Sequence, residues 1–502
     1  MRLIKDLDGW FDHRLQLGKP IQEVMAHPVP RNTASWAYVF GSASLTLMIL
    51  QFVTGICLAF VYVPAADGAW NSLQILNHQQ TLGWFIRALH GWGSNFMVAL
   101  VLIHMVQVFL FGAFKYPREL TWIVGVFLLL MTLGMAFTGQ VLRFDQDAYW
   151  GLGIGASVMG RMPLIGPQLV HLMLGGPIIA AETLSRFFAI HVFIIPGMLL
   201  AFVGVHVLMV LKLGVNEWPM PGRVVNRQTY LKEYHELTRK DGVPFFPDAF
   251  RKDLVFSGLM IISLVICAAL VGPIGPKGQP DPTVVQAVPR PDFFFLFSFA
   301  ALALLPAKLE TPLLIVGPVI GIGLLIALPL ISGTGERSWL RRPIAVITLL
   351  VILVALTALT HLGTYSPWSP VMDAWSSAPV PPKLLEGRSA LERQGAVVFQ
   401  GMQCRNCHRL GHEGGQRGPA LDEVATRLTQ DQLIRQVLQG RGNMPAYGKN
   451  LTPAETTALV AFLKTCHSPG QALAREASLL SATPTLPTGV EATDRIQATN
   501  RR

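Results

Sequence analysis

Charge is scarce in this 502-residue chain. Only 14% of its residues are Asp, Glu, Lys or Arg, against about 25% in an average soluble domain. That excludes one large water-soluble enzyme, and a hydrophobic content of 51% excludes a disordered chain. Cysteine is scarcer still, five in all, too few for a disulfide scaffold. No cleavable leader is visible: the first 34 residues are mixed in charge, and the first apolar run is expected to act as its own uncleaved signal. What the chain has in quantity is apolar runs of roughly 20 residues, each long enough to cross a hydrocarbon core of about 30 Å. The net charge of +10 invites a nucleic-acid reading, but basic loops on one side of a membrane give the same total. No nucleic-acid partner is expected.

Seven spans are expected, over residues 35–63, 84–112, 120–140, 184–213, 254–272, 311–332 and 343–362. Residues 293–305 (FFFLFSFAALALL) are apolar but too short to span, and read as an interfacial or re-entrant helix. Lys and Arg concentrate in the N-terminal segment, around Lys115 and Arg118, in 212–253 and at Arg337, Arg341 and Arg342, while 64–83 has none. Positive loops stay in the cytoplasm. The N-terminus is therefore expected on the cytoplasmic (n) side, and an odd number of spans puts the C-terminus on the opposite, p side. From about residue 366 the composition changes. A Pro/Ser-rich linker (366–383) leads to a small soluble helical module (384–466) and a polar tail (467–502). The fold class expected is all-α: a polytopic membrane helix bundle, followed by a small soluble all-α domain.

Residues 404–408 read CRNCH, the C-x-x-C-H signature of c-type haem attachment. Cys404 and Cys407 would form the thioethers and His408 would supply the proximal imidazole. A redox or zinc C-x-x-C with an accidental His is the bland alternative, but zinc needs further ligands at suitable spacing. Met444, in GRGNMPAYG, is the sixth ligand expected, ahead of Met402, His412 and His467, since a Met opposite a His raises the potential of a c-type haem. Haem c is attached on the p side of bacterial membranes, where the seven-span count delivers the module.

The second span holds His90 and His104, and the fourth holds His191 and His206. At about 100° and 1.5 Å per residue, an interval of 14 returns to within about 40° of the starting face, and one of 15 lands about 60° away, after a rise of about 21–23 Å. The two spans run in the same direction, so His90 pairs in depth with His191, and His104 with His206. One intramembrane His is more often a packing residue. Two matched pairs at two depths read as bis-His sites for two b haems. Gly41 and Gly55 in the first span, and Gly125 and Gly139 in the third, repeat the 14-residue interval and would let a flat macrocycle approach the backbone; helix packing through small residues is the alternative. Arg87 and Arg186 on the p side, and Lys115 and Arg118 on the n side, are candidates for pairing haem propionates, against simple interfacial snorkelling.

These residues carry a resemblance. The chain resembles the cytochrome b subunit of bc- and b6f-type quinol:cytochrome c oxidoreductases. Residues 1–215 are similar to cytochrome b6, through RALHGW, FKYPRELTW, TGQVLRFDQDAYW, SRFFAIH and the 15-residue second His interval. Residues 216–365 hold a three-span domain similar to subunit IV from about 240, with FPDAFRKDL at 246–254 and PDFFF at 291–295. Residues 384–466 are similar to a class I monohaem cytochrome c. The resemblance implies a quinol-oxidising site on the p side, between the turn after the third span and PDFFF. It implies one electron to a Rieske iron–sulfur protein and on to a c-type haem, and the other across the membrane, from a low-potential site at His90/His191 to a high-potential site at His104/His206 and a quinone. It implies proton release on the p side, further subunits in a dimeric complex within a bacterial inner membrane, and a downstream c-type cytochrome or other p-side acceptor.

The departures are informative. The family's Pro-Glu-Trp-Tyr-like motif reads Pro291-Asp292-Phe293-Phe294 here. Asp292 keeps a carboxylate that can accept a quinol proton, one methylene shorter, and the Tyr hydroxyl is lost; Asp292 as a plain helix N-cap is the alternative. Asp145 and Asp147 are weaker proton-path candidates. Gly153 to Pro167 reads as a Gly/Pro-rich turn at the family's docking surface, and His171 stands where relatives carry Glu. Val39 stands where b6f relatives carry a haem-binding Cys, so no covalent third haem is expected in the membrane, and Cys57, Cys267 and Cys466 are expected to be plain buried or unpaired thiols. The chain has no iron–sulfur ligand set. The leading function is the membrane electron-transfer subunit of a Rieske/cytochrome b complex. The alternative is a non-bifurcating dihaem conduit linking the quinone pool to another redox enzyme.

Overall fold

The computed structural model describes residues 10, 13–16, 18–176, 179, 181–280, 290–305, 307–365, 380–411, 413–414, 418–440, 444, 446–448 and 450–467. The chain forms two compact units, Met1–Met372 and Asp373–Arg502. Most of the linker expected at 366–383, and the tail from 468, lie outside the described residues.

In the first unit, seven helices are long and apolar enough to cross a membrane: Phe40–Ala59, Gly83–Leu110, Glu119–Leu142, Glu182–Leu213, Phe245–Val271, Leu309–Ile331 and Pro343–Thr364. Lipid offers no hydrogen bonds, so an apolar run of this length closes all its backbone bonds internally as a helix. The bounds follow the expected spans except at the fifth, which starts nine residues earlier. Its first turns carry Asp248, Arg251, Lys252 and Asp253 and are invisible to hydropathy. Ala43, Leu47 and Met48 of the first span pack on Met97 and Leu100 of the second and Leu264 of the fifth. Residues Phe293–Leu304 form a helix of 12 residues, about 18 Å long and too short to span, as expected.

The fourth span is not uniform. Ala181–Ala189 gives way to a π-helical turn, Ile190–Ile194, before the α-helix resumes at Ile195–Leu213. The Ile195 N–H bonds to Ile190 O, five residues back, and Pro196 follows with no N–H to offer the usual i→i−4 bond. A π turn holds one extra residue, so the 15-residue interval from His191 to His206 covers the same angle as 14 α-helical residues. The 60° offset expected from a straight helix is corrected on this point. A second correction concerns 153–167, expected as a turn. It is largely helical: Gln146–Gly160 and Gly166–Leu174 bracket a short bend. The Asp145 side chain caps the first of these by accepting from Ala148 N at 2.9 Å, and Leu152 and Ala156 are buried against Val141 and Phe187. Packing thereby outweighs the weak helix propensity of glycine.

Two short antiparallel ladders tie the loops on the side where the basic segments gather. Pro28–Pro30 pairs with Gly242–Pro244, and Val224–Val225 pairs with Gly335–Glu336. The first ladder joins the N-terminal four-span part of the chain to its three-span part.

The second unit is built on helices Ala390–Gly401, Gln430–Gln439 and Pro453–Leu463. All three open on a capping box: Ser389 with Glu392, Thr429 with Gln432, and Thr452 with Glu455, each satisfying two orphan backbone donors. The first and last of these cross in backbone contact at Gly395, where a Cβ would stand 1.9 Å from Ala458 O, and Phe399 meets Phe462 beside the crossing.

Candidate functional site

His90 and His191 face each other with ring centroids 6.3 Å apart and planes at 79°. Imidazole nitrogens about 2.0–2.1 Å from a shared metal, approaching from opposite sides, leave ring centroids roughly 6 Å apart, so the observed gap fits bis-His ligation. His104 and His206 lie within electrostatic reach of each other at the second depth.

Each of the four glycines at the 14-residue interval is set against one of these rings. A Cβ at Gly55 would stand 3.1 Å from His90 Cε1; at Gly139, 2.8 Å from His191 Cε1; at Gly41, 3.2 Å from His104 Cε1; and at Gly125, 3.6 Å from His206 Cε1. The space that the missing side chains leave is taken in the first instance by the imidazoles themselves.

The residues just before Gly55 and Gly139 fix the tautomer. Thr54 Oγ1 lies 2.9 Å from His90 Nδ1, and Thr138 Oγ1 lies 2.9 Å from His191 Nδ1. A threonine hydroxyl has one proton. Thr54 donates it to Leu50 O at 2.7 Å and Thr138 to Gly134 O at 2.9 Å. Each hydroxyl therefore accepts from the imidazole Nδ1–H, and the Nε2 lone pair is left for a ligand. The repeated Thr-Gly step was in the sequence; only the packing of the first and third spans against the second and fourth reveals its use.

The c-type motif follows the same logic. His408 is buried, and its Nδ1 lies 2.8 Å from Pro419 O. A carbonyl only accepts, so Nδ1 carries the proton and Nε2 is free. A Cβ at Gly418 would stand 2.4 Å from His408 Cε1, so only glycine fits beside the ring. Burial, with Cys407 adding to it, pushes the Cys404 thiol up to about 12, opposite to the shift that a reactive redox dithiol needs. Met444 Sδ accepts from Gln436 Nε2 at 3.5 Å. The chemistry of these donor sets fits b-type haem at the paired histidines and c-type haem at Cys404, Cys407 and His408.

The four cations expected at propionates each hold other partners in this structure. Lys115 Nζ spends its three donors on Ser332 O (2.5 Å), Ser332 Oγ (2.9 Å) and Thr334 O (2.6 Å). Arg118 bonds Gly214 O, Leu213 O and the Tyr230 hydroxyl. Arg87 bonds Asn77 Oδ1, Gly275 O and Ile274 O, and the exposed Arg186 bonds Leu172 O. Sequence reading also missed Glu217. It is buried, with Arg337 Nη1 at 2.9 Å, Arg223 Nε at 2.8 Å and the Tyr230 hydroxyl at 2.7 Å. Burial alone would raise its carboxyl; Arg337, together with the hydrogen bonds from Tyr230 and Arg223, outweighs that and holds it down at about 2.

PDFFF and the turn after the third span come together. Phe294 and Phe295 pack on Val98 and Ala136 of the second and third spans, and Asp292 lies within the field of Arg143 and Asp145. Pro291 leads into the helix, but the Asp292 side chain makes no capping bond. Burial pushes its carboxyl above the usual carboxylate range, against the pull of Arg143. Asp145 is occupied as a helix cap and as acceptor for Lys277 N at 2.9 Å, and Asp147 pairs Lys277 Nζ. His171 is exposed. Cys466 is buried, whereas Cys57 is exposed on the outer face of the first span.

Comparisons with known proteins give the family. Residues 24–214 match the family model for cytochrome b/b6/petB, and residues 390–463 match that for cytochrome c oxidase, cbb3-type, subunit III. The chain is 39% identical over 210 residues to a cytochrome b6 of Heliobacterium modesticaldum, covering 42% of this chain and 99% of the relative. It is 34% identical over 221 residues to the menaquinol:cytochrome c reductase cytochrome b subunit of Geobacillus thermodenitrificans, covering 43% of this chain and 99% of the relative. Among solved structures, a chain of a hyperthermophilic respiratory Complex III matches with a TM-score of 0.59 at 26% identity, over 72% of this chain and 91% of that one. With its seven apolar helices and a cytochrome c-type module at its C-terminal end, the chain is a multi-pass membrane protein that belongs to the cytochrome b/b6 family.

Proposed function

We propose that this chain is the cytochrome b subunit of a bc-type quinol:cytochrome c oxidoreductase, with its haem c domain fused on. The observation that carries the reading is the opposed pair His90 and His191, with His104 and His206 near each other at a second depth of the same bundle. Two haem b groups and one haem c, when bound, supply one-electron redox centres. His90 with His191, and His104 with His206, would hold the first two. Cys404, Cys407, His408 and Met444 would hold the third. Gly41, Gly55, Gly125 and Gly139 keep Cβ atoms out of the space that the rings and a macrocycle share. Asp292 accepts a proton from quinol on the p side, and its raised carboxyl suits a base that must later release that proton. Pro291 fixes the entry into the helix that carries it.

The complex would include a Rieske iron–sulfur protein and further subunits, form a dimer, and deliver electrons to a p-side c-type cytochrome or similar acceptor. It would sit in a bacterial cytoplasmic membrane with the N-terminus on the cytoplasmic side, exchange quinol and quinone with the lipid phase, and release protons on the p side. One observation favours a second reading. Asp for Glu, and Phe where the Tyr hydroxyl stood, would also suit a conduit without bifurcation. The discriminating experiment is purification with subunit identification and inhibitor kinetics. A co-purifying Rieske protein, with quinol oxidation blocked by p-side-site inhibitors, is the expected result. Haem reduction by quinol that ignores those inhibitors, without a Rieske protein, would favour the conduit.

A further inference from the structure

The two histidine pairs share spacing, depth symmetry and glycines, but not their hydrogen bonds. On the p side, both Nδ1 atoms meet a threonine hydroxyl at 2.9 Å. On the n side, the residues before Gly41 and Gly125 are Phe40 and Val124, and neither offers an acceptor. His104 Nδ1 has no hydrogen-bond partner among the described residues, and His206 Nδ1 has only the Thr121 carbonyl nearby, outside hydrogen-bonding geometry. An acceptor on Nδ1–H makes imidazole a stronger donor through Nε2, which favours the oxidised metal over the reduced one. We infer that Thr54 and Thr138 are positioning residues that lower the reduction potential of the p-side site relative to the n-side site, and so set the downhill direction of electron flow across the bundle. This rests on the bis-His reading above and adds the residues that grade it.

The test is a potentiometric titration of the b-type absorbance in the purified complex. Thr54→Val and Thr138→Val keep shape and remove the hydroxyl. Each should shift the lower-potential component about three- to tenfold toward the reduced form, tenfold being 59 mV for one electron, and leave the higher component in place. Thr54→Ser should restore the parent value. Val124→Thr should do the reverse, lowering the higher component, because it gives the n side the same Thr-Gly step. It also keeps the inference testable if a p-side variant fails to assemble. Unchanged potentials in both Val variants, equal movement of both components, a Ser variant that behaves like Val, or an unmoved higher component in Val124→Thr would overturn the inference. A parent protein without two separable b components would instead overturn the functional reading.

Discussion

The interior of the bundle and its junction on the basic side use polar residues in opposite ways. In the interior, His90 and His191 face each other, and a glycine clears the space beside each of the four imidazoles. At the junction, Lys115, Arg118 and Arg337 turn inward and spend their donors on carbonyls, the Tyr230 hydroxyl and Glu217. The first arrangement is built to receive something, and the second spends most of its donors within the protein. The opposite edge of the bundle holds one of each kind: Arg87 is committed to the loop carbonyls of Ile274 and Gly275, while Asp292 makes no capping bond. A basic residue at the right height is therefore weak evidence for a cofactor contact, whereas a glycine that clears a histidine ring is strong evidence.

Substitutions sharpen the contrast in order of expected effect. Asp292→Asn should slow quinol oxidation by about 10²–10⁴-fold, the usual worth of a positioned acid or base, with haem content unchanged. In the parent the raised carboxyl moves the acidic limb upward: the rate should climb with pH through a range above that of an ordinary Asp. Glu217→Gln should leave both b haems in place but cost about 3–5 kcal/mol of stability, since it strands Arg337 as a buried charge; thermal melts of the purified protein read this. The parent's own dependence has a defined sign. Glu217 is held down at about 2, so its contribution is present above the ordinary carboxylate range and is lost only as pH falls toward 2. In the interior, Gly139→Ala puts a Cβ 2.8 Å from His191 and should lower p-side haem occupancy about 10–100-fold. Gly125→Ala, with 3.6 Å available, should retain nearly parental haem content. Equal losses in the two glycine variants would break the link between ring clearance and site.

The sequence made the spans, the histidine pairs and the c-type motif legible because each is local: a run, an interval within one helix, or five consecutive residues. What stayed hidden depends on contacts across the chain. Thr54 and His90 are 36 residues apart, Thr138 and His191 are 53 apart, and Lys115 reaches Ser332 across 217. The role of Pro419 and Gly418 at His408 depends on a loop that returns onto the motif. The π turn at His191 lay between these extremes. The odd interval of 15 and Pro196 were visible, but a straight helix was the simpler expectation, and only the observed Ile195–Ile190 bond shows how the extra residue is stored.

The central claim is two bis-His sites in one bundle and a c-type site on the same chain. A redox-titrated absorbance spectrum of the purified protein, with haem extraction to separate covalent from non-covalent groups, tests it most directly. The account predicts two extractable b haems of distinct potential and one c haem retained on the polypeptide. A single b component, or no covalently held haem, would contradict it.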